Sequence, residues 1–290
     1  MSRSKRAVAL YPNPHKPAAA RLLPALVHYL HRQGWEALGF LEHREVLPPG
    51  VPGVSVPELA RRAAFVLVLG GDGTFLSAAR KVCRYRLPML GMRLGHIGFL
   101  TTLETADFRR PLGQVLKGRY ELDSRSMVEA RVLGAGGRVV ARGLALNDIT
   151  VRQVDYVKVV RLRLALDRER LGDFTSDGVV VCTPTGATAY SLSAGGPVVM
   201  PGARVLVATL ICPHTLSSRP VAFSPDRTLF IDVEGDRDGL HVVLDGQESL
   251  PVEPGRQRLA ITGSRHVTRV LRPPGFSYPE LLRSKLGWKS

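Results

Sequence analysis

The sequence predicts an α/β N-terminal domain built on a parallel sheet, followed by a β-sandwich-like, all-β second domain, and three observations predict it. Strand-like apolar runs alternate with helix-spaced segments as far as about Thr102, the pattern of βαβ units. Beyond that point the segments become short and β-branched, divided by turns of Gly, Asp, Pro or Ser. The run Phe65-Val66-Leu67-Val68-Leu69 stops at Gly70-Gly71 and gives way to Phe75, Leu76, Ala78, Ala79 and Val82 at helical spacing, so a strand turns sharply into a helix. The expected domains are 1–102 and 103–264, with a tail at about 265–290 packing back onto the first.

The elements of the first domain follow in order. Arg6 to Tyr11 is a strand, and Ala18 to Gln33 carries Leu22, Leu23, Leu26, Val27 and Leu30 at helical spacing. Pro24 lies inside that segment, so the helix either begins late or kinks there. Ala37 to Leu41 reads as a second strand, Leu47 to Pro57 as a loop, and Glu58 to Ala64 as a short helix. Leu87 to Met92 supplies a fourth strand after the glycine turn and its helix. In a parallel sheet ligands sit beyond the carboxyl ends of the strands, where Asp72 stands.

In the second domain, strands are expected at Met127 to Leu133, Arg138 to Ala141, Lys158 to Leu166, Gly178 to Cys182, Val205 to Ile211, Thr228 to Val233 and His241 to Leu244. Val159, Leu162, Leu164 and Leu166 alternate only in part and leave the faces unassigned. The aromatic, basic tail from Val267, with Tyr278 and Trp288, is expected to dock on the first domain.

Composition narrows the class. The 290 residues suffice for two domains, and a hydrophobic content of 44% without an 18-residue apolar stretch points to a soluble, cytoplasmic protein with no membrane partner. Cys83, Cys182 and Cys212 are scattered and odd in number, which argues for buried free thiols over a disulfide framework or a zinc site. The net charge of +15 raises nucleic acid, but only seven of the 40 basic residues are Lys and no basic block occurs, so no nucleic-acid partner is expected. A solvated basic surface is the plain reading of that charge, with attraction of polyphosphate anions as the alternative.

The chemistry centres on Gly70-Gly71-Asp72-Gly73-Thr74. Glycines permit positive φ and let backbone N–H groups approach an anion, while the first helical turn points further N–H groups at it. Asp72 would repel a phosphate, so it needs a role of its own, as a magnesium contact or in orienting a hydroxyl. The Lys-Ser/Thr pair of a Walker loop is missing. A second stretch, Asp177 to Pro197, reads DGVVVCTPTGATAYSLSAGGP: a strand feeding small residues that allow close backbone approach. The hydroxyls of Thr188, Tyr190, Ser191 and Ser193 can bond a ribose or amide, and the Tyr190 ring can stack on a base. A serine- and glycine-rich loop without ligand is the alternative reading of that stretch.

The glycine motif resembles one shared by NAD kinases, diacylglycerol and sphingosine kinases and, more distantly, phosphofructokinases. The second stretch is similar to the NAD kinase family almost residue for residue. Further pieces fall in that family's order: Gly95-His96-Ile97-Gly98-Phe99-Leu100, Asn147-Asp148, Ile211 to Pro220, and Asp245-Gly246-Gln247. Asp148 departs from the family's usual Glu, Ala187 from Ser, and Arg93 from Asn, the last adding a charge near the site.

This resemblance implies transfer of the terminal phosphoryl of ATP, or of polyphosphate, to the 2′-hydroxyl of the adenosine ribose of NAD, giving NADP. It implies that Asp72 faces that hydroxyl as the catalytic residue, that Gly73 contacts the dinucleotide and that Phe99 walls the pocket. Asn147 and Asp148 would hold polar groups of the substrate. Asp177 and the segment Thr188, Ala189, Tyr190, Ser191, Leu192 and Ser193 would grip it, with Gln247 and Lys158 as further candidates, Lys158 either beside a phosphate or on the solvent face of a strand. His96 could touch a phosphate or ribose, or simply pack. No protein-held metal site is expected; Mg2+, or another divalent ion, would arrive with the nucleotide. The resemblance also implies a homo-oligomer, a dimer or tetramer, with a site built partly across subunits. A lipid kinase would need a large apolar acceptor lining, a dinucleotide sensor would leave Asp72 idle, and a nucleic-acid binder would show steep salt dependence.

Overall fold

The computed structural model describes residues 6–95, 98–153, 159–234 and 240–288. The chain divides into two compact units, Met1–Ser124 with Thr268–Ser290, and Arg125–Val267.

In the first unit, β1 (Ala7–Pro12), α1 (Pro17–Arg32), β2 (Glu36–Phe40), β3 (Gly53–Val54), α2 (Val56–Arg62), β4 (Ala63–Gly70), α3 (Asp72–Val82), β5 (Met89–Arg93), β6 (Leu103–Glu104) and α4 (Arg109–Leu116) follow one another. The strands pair in parallel in the order β3-β2-β1-β4-β5-β6. β1 and most of β4 are buried on both faces, which is why they read as continuous apolar runs. Leu23, Leu26, Val27 and Leu30 form the buried stripe of α1 and pack with Leu10, Leu67 and Leu90 of the sheet. α1 begins at Pro17, not late; Pro24 lies within it on the exposed side, where the Ala20 carbonyl left without its helical donor can turn to water. The expected loop over Leu47 to Pro57 contains β3, which adds an edge to β2.

The second unit takes up most of β7 (Glu121–Leu133), β8 (Val139–Ala145), β9 (Asp148–Gln153), β10 (Val160–Leu166), β11 (Glu169–Ser176), β12 (Gly178–Cys182), the short helix α5 (Tyr190–Ser193), β13 (Leu206–Ile211), β14 (Val221–Phe223), β15 (Leu229–Glu234), β16 (Leu240–Leu244), β17 (Glu248–Leu250) and the first part of β18 (Arg258–Arg272). One antiparallel sheet has the order β14-β13-β12-β9-β16-β17. A second antiparallel run, β11-β10-β15-β18, shares one core with it, where Ile149, Val151, Val179 and Val181 meet Leu162, Leu164, Ile231 and Ile261. Two layers closing on one core make this the β-sandwich-like unit. In β10 the even-numbered Val160, Leu162, Leu164 and Leu166 face that core while Arg161 and Arg163 face solvent, which fixes the faces that the sequence left open.

After β18 the chain returns to the first unit, where Val270 pairs in parallel with Met89 and α6 (Tyr278–Leu286) buries Tyr278 and Leu282. The Tyr278 ring lies 6.2 Å from that of Phe99, and Arg272 Nε bonds Asp123 at 3.3 Å. Of the three thiols, Cys83 and Cys182 are buried, but Cys212 is exposed, contrary to expectation. It sits in a turn at φ 45, with its thiol bonded to Asp177.

Candidate active site

In the first unit, β4 ends at Gly70 and α3 begins at Asp72, with Gly71 as the extended N-cap. Gly70, Gly71 and Gly73 use no positive φ, contrary to that part of the expectation, and at Gly70 what matters is space. A Cβ on Gly70 would lie 2.6 Å from Thr74 Cβ. Thr74 in turn accepts from Asn13 Nδ2 at 2.9 Å, which ties the end of β1 to the first turn of α3.

Asp72 is held from the opposite side. Its Oδ2 accepts the Phe99 N–H at 2.7 Å and its Oδ1 the Leu100 N–H at 3.1 Å. Gly98 makes this approach possible, because any Cβ there would overlap the carboxylate. Asp72, Gly73 and Phe99 are therefore brought together, with Phe99 half-buried against Tyr278. Each carboxylate oxygen retains a further acceptor position, so the two N–H groups aim the side chain without exhausting it. Arg93 pairs with Glu104 and has most of its side chain buried, so its charge is already met within the unit. Both residues line a cavity of about 420 Å3 together with Thr101, Pro273 and Phe276. His96 and Lys158 lie outside the described residues.

The second unit holds a separate polar cluster at the start of β9. Asp245 follows β16 in a tight turn, at φ 50 and with Gly246 at φ 67, and its carboxylate folds back onto the chain between β8 and β9. It accepts the N–H groups of Leu146 (3.1 Å), Asn147 (2.7 Å) and Asp148 (3.3 Å), while its own N–H donates to Asp148 O at 2.9 Å. Thr183 fixes the other edge: its hydroxyl donates to Leu146 O at 2.6 Å and its N–H to Asn147 O at 2.9 Å. Asn147 and Asp148 are thus placed by backbone bonds on both sides, and Asn147 Oδ1 is buried with no hydrogen-bond partner.

Asp148 is nearly enclosed. Burial, and then the neighbouring Asp245 carboxylate, push its carboxyl up to about 7, against a 3.4 Å hydrogen bond from Thr150 that favours the charged form. The segment after β12 packs close by, and Gly186 lies so near the Asn147 backbone that a Cβ would be 2.7 Å from Asn147 Cα. Thr188 and Ala189 are half-buried, and Tyr190 and Ser193 are exposed. Ser191 takes a different place from the one expected of a ligand-facing hydroxyl: it is fully buried and bonds Thr209 Oγ1 at 3.2 Å. Leu192 is half-buried, whereas Asp177 and Gln247 are exposed. Asp245 and Thr183 were missed as site residues because each reads locally as a turn or a strand end. The Asp245-Gly246-Gln247 motif is the sequence signal that points to Asp245.

Residues 53–120 match the ATP-NAD kinase N-terminal domain and residues 146–272 the ATP-NAD kinase C-terminal domain. The NAD kinase of Aromatoleum aromaticum is 35% identical over 100% of this chain and 96% of its own length. That of Aeromonas salmonicida is 36% identical over 98% of this chain and 97% of its own. The fold is shared with the yeast NADH kinase crystallised with NADH (TM-score 0.87, 23% identity, covering 100% of this chain and 89% of that one). It is shared also with the Archaeoglobus fulgidus NAD kinase in complex with ATP (TM-score 0.72, 24% identity, covering 98% and 99%). With relatives above 30% identity along nearly the whole of both chains, this protein belongs to the NAD kinase family.

Proposed function

We propose that the chain transfers the terminal phosphoryl of ATP, or of polyphosphate, to the 2′-hydroxyl of the adenosine ribose of NAD, with Asp72 as the group that orients that hydroxyl. The observation that carries this reading is the position of Asp72, at the first residue of a helix beyond a parallel strand and aimed by the N–H groups of Phe99 and Leu100. The 2′-hydroxyl gives its proton to the carboxylate as its oxygen bonds to the terminal phosphorus, and the bridging P–O bond breaks to release ADP. Phosphoryl transfer of this kind draws its acceleration mainly from positioning and charge neutralisation.

Magnesium belongs to the nucleotide in this reading. Among the described residues no group of three or more His, Cys, Asp or Glu side chains could cage a metal, and Mg2+ characteristically keeps water and phosphate ligands. The ion supplies charge neutralisation on the phosphates.

Gly73 and Phe99 would contact the dinucleotide on the Asp72 side. Asn147 and Asp148 would hold its polar groups; Asp177, Thr188, Ala189, Tyr190 and Ser193 would line its path, with Gln247 at the rim. Ser191 supports that segment from within. We place the enzyme in the cytoplasm as a homo-oligomer; no helix among the described residues is long and apolar enough to cross a membrane. The test is to incubate the purified protein with NAD, Mg2+ and either ATP or polyphosphate and to detect NADP with a coupled dehydrogenase. No NADP from either donor would overturn the reading, and light scattering of the same sample reports the assembly.

A further inference from the structure

We propose that Asp245 is the positioning residue of the substrate site: it fixes the Asn147–Asp148 turn so that Asn147 Oδ1 stands ready to accept a hydrogen bond from an amino group of the dinucleotide. The inference rests on the reading of the chain as an NAD-phosphorylating enzyme.

Three consecutive backbone N–H groups, those of Leu146, Asn147 and Asp148, converge on the Asp245 carboxylate at 2.7 to 3.3 Å. Such convergence matches an acceptor-only carboxylate and no neutral side chain, since an amide in its place would turn a donor toward one of these donors. Thr183 donates to the Leu146 and Asn147 carbonyls on the opposite edge, so the turn is held from both sides. What this clamp presents is an unmet acceptor. A buried carbonyl oxygen without a partner is costly, and its natural complement is an N–H donor supplied by the substrate.

NAD offers that donor in two places, the exocyclic amine of adenine and the carboxamide of nicotinamide. The shared chemistry is an NH2 group. Asp245 touches neither; it acts through Asn147.

The experiment compares wild type and Asp245→Asn in steady-state kinetics with NAD, with the hypoxanthine analogue lacking the adenine amine, and with nicotinic acid adenine dinucleotide lacking the carboxamide nitrogen. Wild type is expected to prefer NAD over one analogue by about tenfold or more in kcat/KM, as expected when a site's buried polar group is left unpaired, and that analogue identifies the source. In Asp245→Asn the KM for NAD should rise about tenfold while the KM for ATP and kcat at saturation stay within about threefold, and the preference over the analogue should vanish. A general loss of structure would not produce that split. If Asp245→Asn is insoluble, Asp245→Glu, which displaces the acceptors by one methylene, is read in the same way. Unchanged KM and unchanged preference would overturn the role of Asp245 while leaving the functional reading standing, as would a wild type indifferent to both analogues. A wild type forming no NADP overturns both.

Discussion

Gly98 lies against the carboxylate of Asp72 so closely that no side chain can stand between them, and the two residues after it donate their N–H groups to that carboxylate at 2.7 and 3.1 Å. The glycine thereby sets where the acid points. Gly98→Ala is expected to push the flexible end of Asp72 aside at little cost to the fold and to lower kcat by about 10²-fold, the scale of a catalytic group misplaced by roughly an ångström. Thermal melting and NADP formation on one preparation check both halves.

Removing the charge at Asp72 itself tests the chemistry more directly. Asp72→Asn keeps the size of the side chain but gives it a donor facing one of two N–H groups, and it removes the proton acceptor. A fall in kcat of about 10²–10⁴-fold is expected with circular dichroism unchanged. Near-normal turnover would take Asp72 out of the mechanism.

The buried carboxyl of Asp148 gives the protein a pH dependence of unusual sign. Its value of about 7 lies above the ordinary 3.8, so the folded chain holds a proton that the unfolded chain has released at intermediate pH. The stability this group contributes is full below about pH 4 and is lost as pH rises toward about 7, by on the order of 4 kcal/mol at most. Urea unfolding between pH 4.5 and 7.5 should show a decline that Asp148→Asn flattens.

Gly186 meets main chain where Gly98 meets the end of a side chain. A Cβ at Gly186 would press on the Asn147 backbone, which Asp245 and Thr183 hold in place, so nothing nearby can yield. Gly186→Ala is expected to cost more than about 2 kcal/mol, the range of overpacking in a rigid site, seen as a lowered melting temperature together with a raised KM for NAD.

Pro24 is a removable fault. It sits on the exposed side of α1 and leaves one helical hydrogen bond unmade. Pro24→Ala should stabilise the first unit by about 1–2 kcal/mol, after allowing for the extra freedom of the unfolded chain, with activity unchanged. Denaturant titration reads the shift.

The amino-acid order determined by itself whatever depends on neighbours along the chain. β4 and the start of α3 are legible because an apolar run, two glycines and a helical spacing follow one another within Phe65 to Val82, and the family's motifs are contiguous in the same way. Even the buried strand Gly178–Cys182 could be bounded by its flanking Asp177 and Pro184. Tertiary structure alone decided what depends on partners far away. The 15 residues of β18 mix Arg, Gly, Ser and His with apolar residues and show no clean period, because its two parts pair with different strands, β15 and β5. The helix α4 escaped for want of a capping signal. Ser191 looked like a ligand-facing hydroxyl until Thr209, 18 residues on, claimed it. Asp245 reads locally as half of an Asp-Gly turn, and only the folding of β16 beside β9 brings its carboxylate to Asn147, 98 positions earlier. Local chain physics writes turns and periods into the sequence, but a carboxylate's hydrogen-bond partners are chosen by strand pairing, which no short window contains.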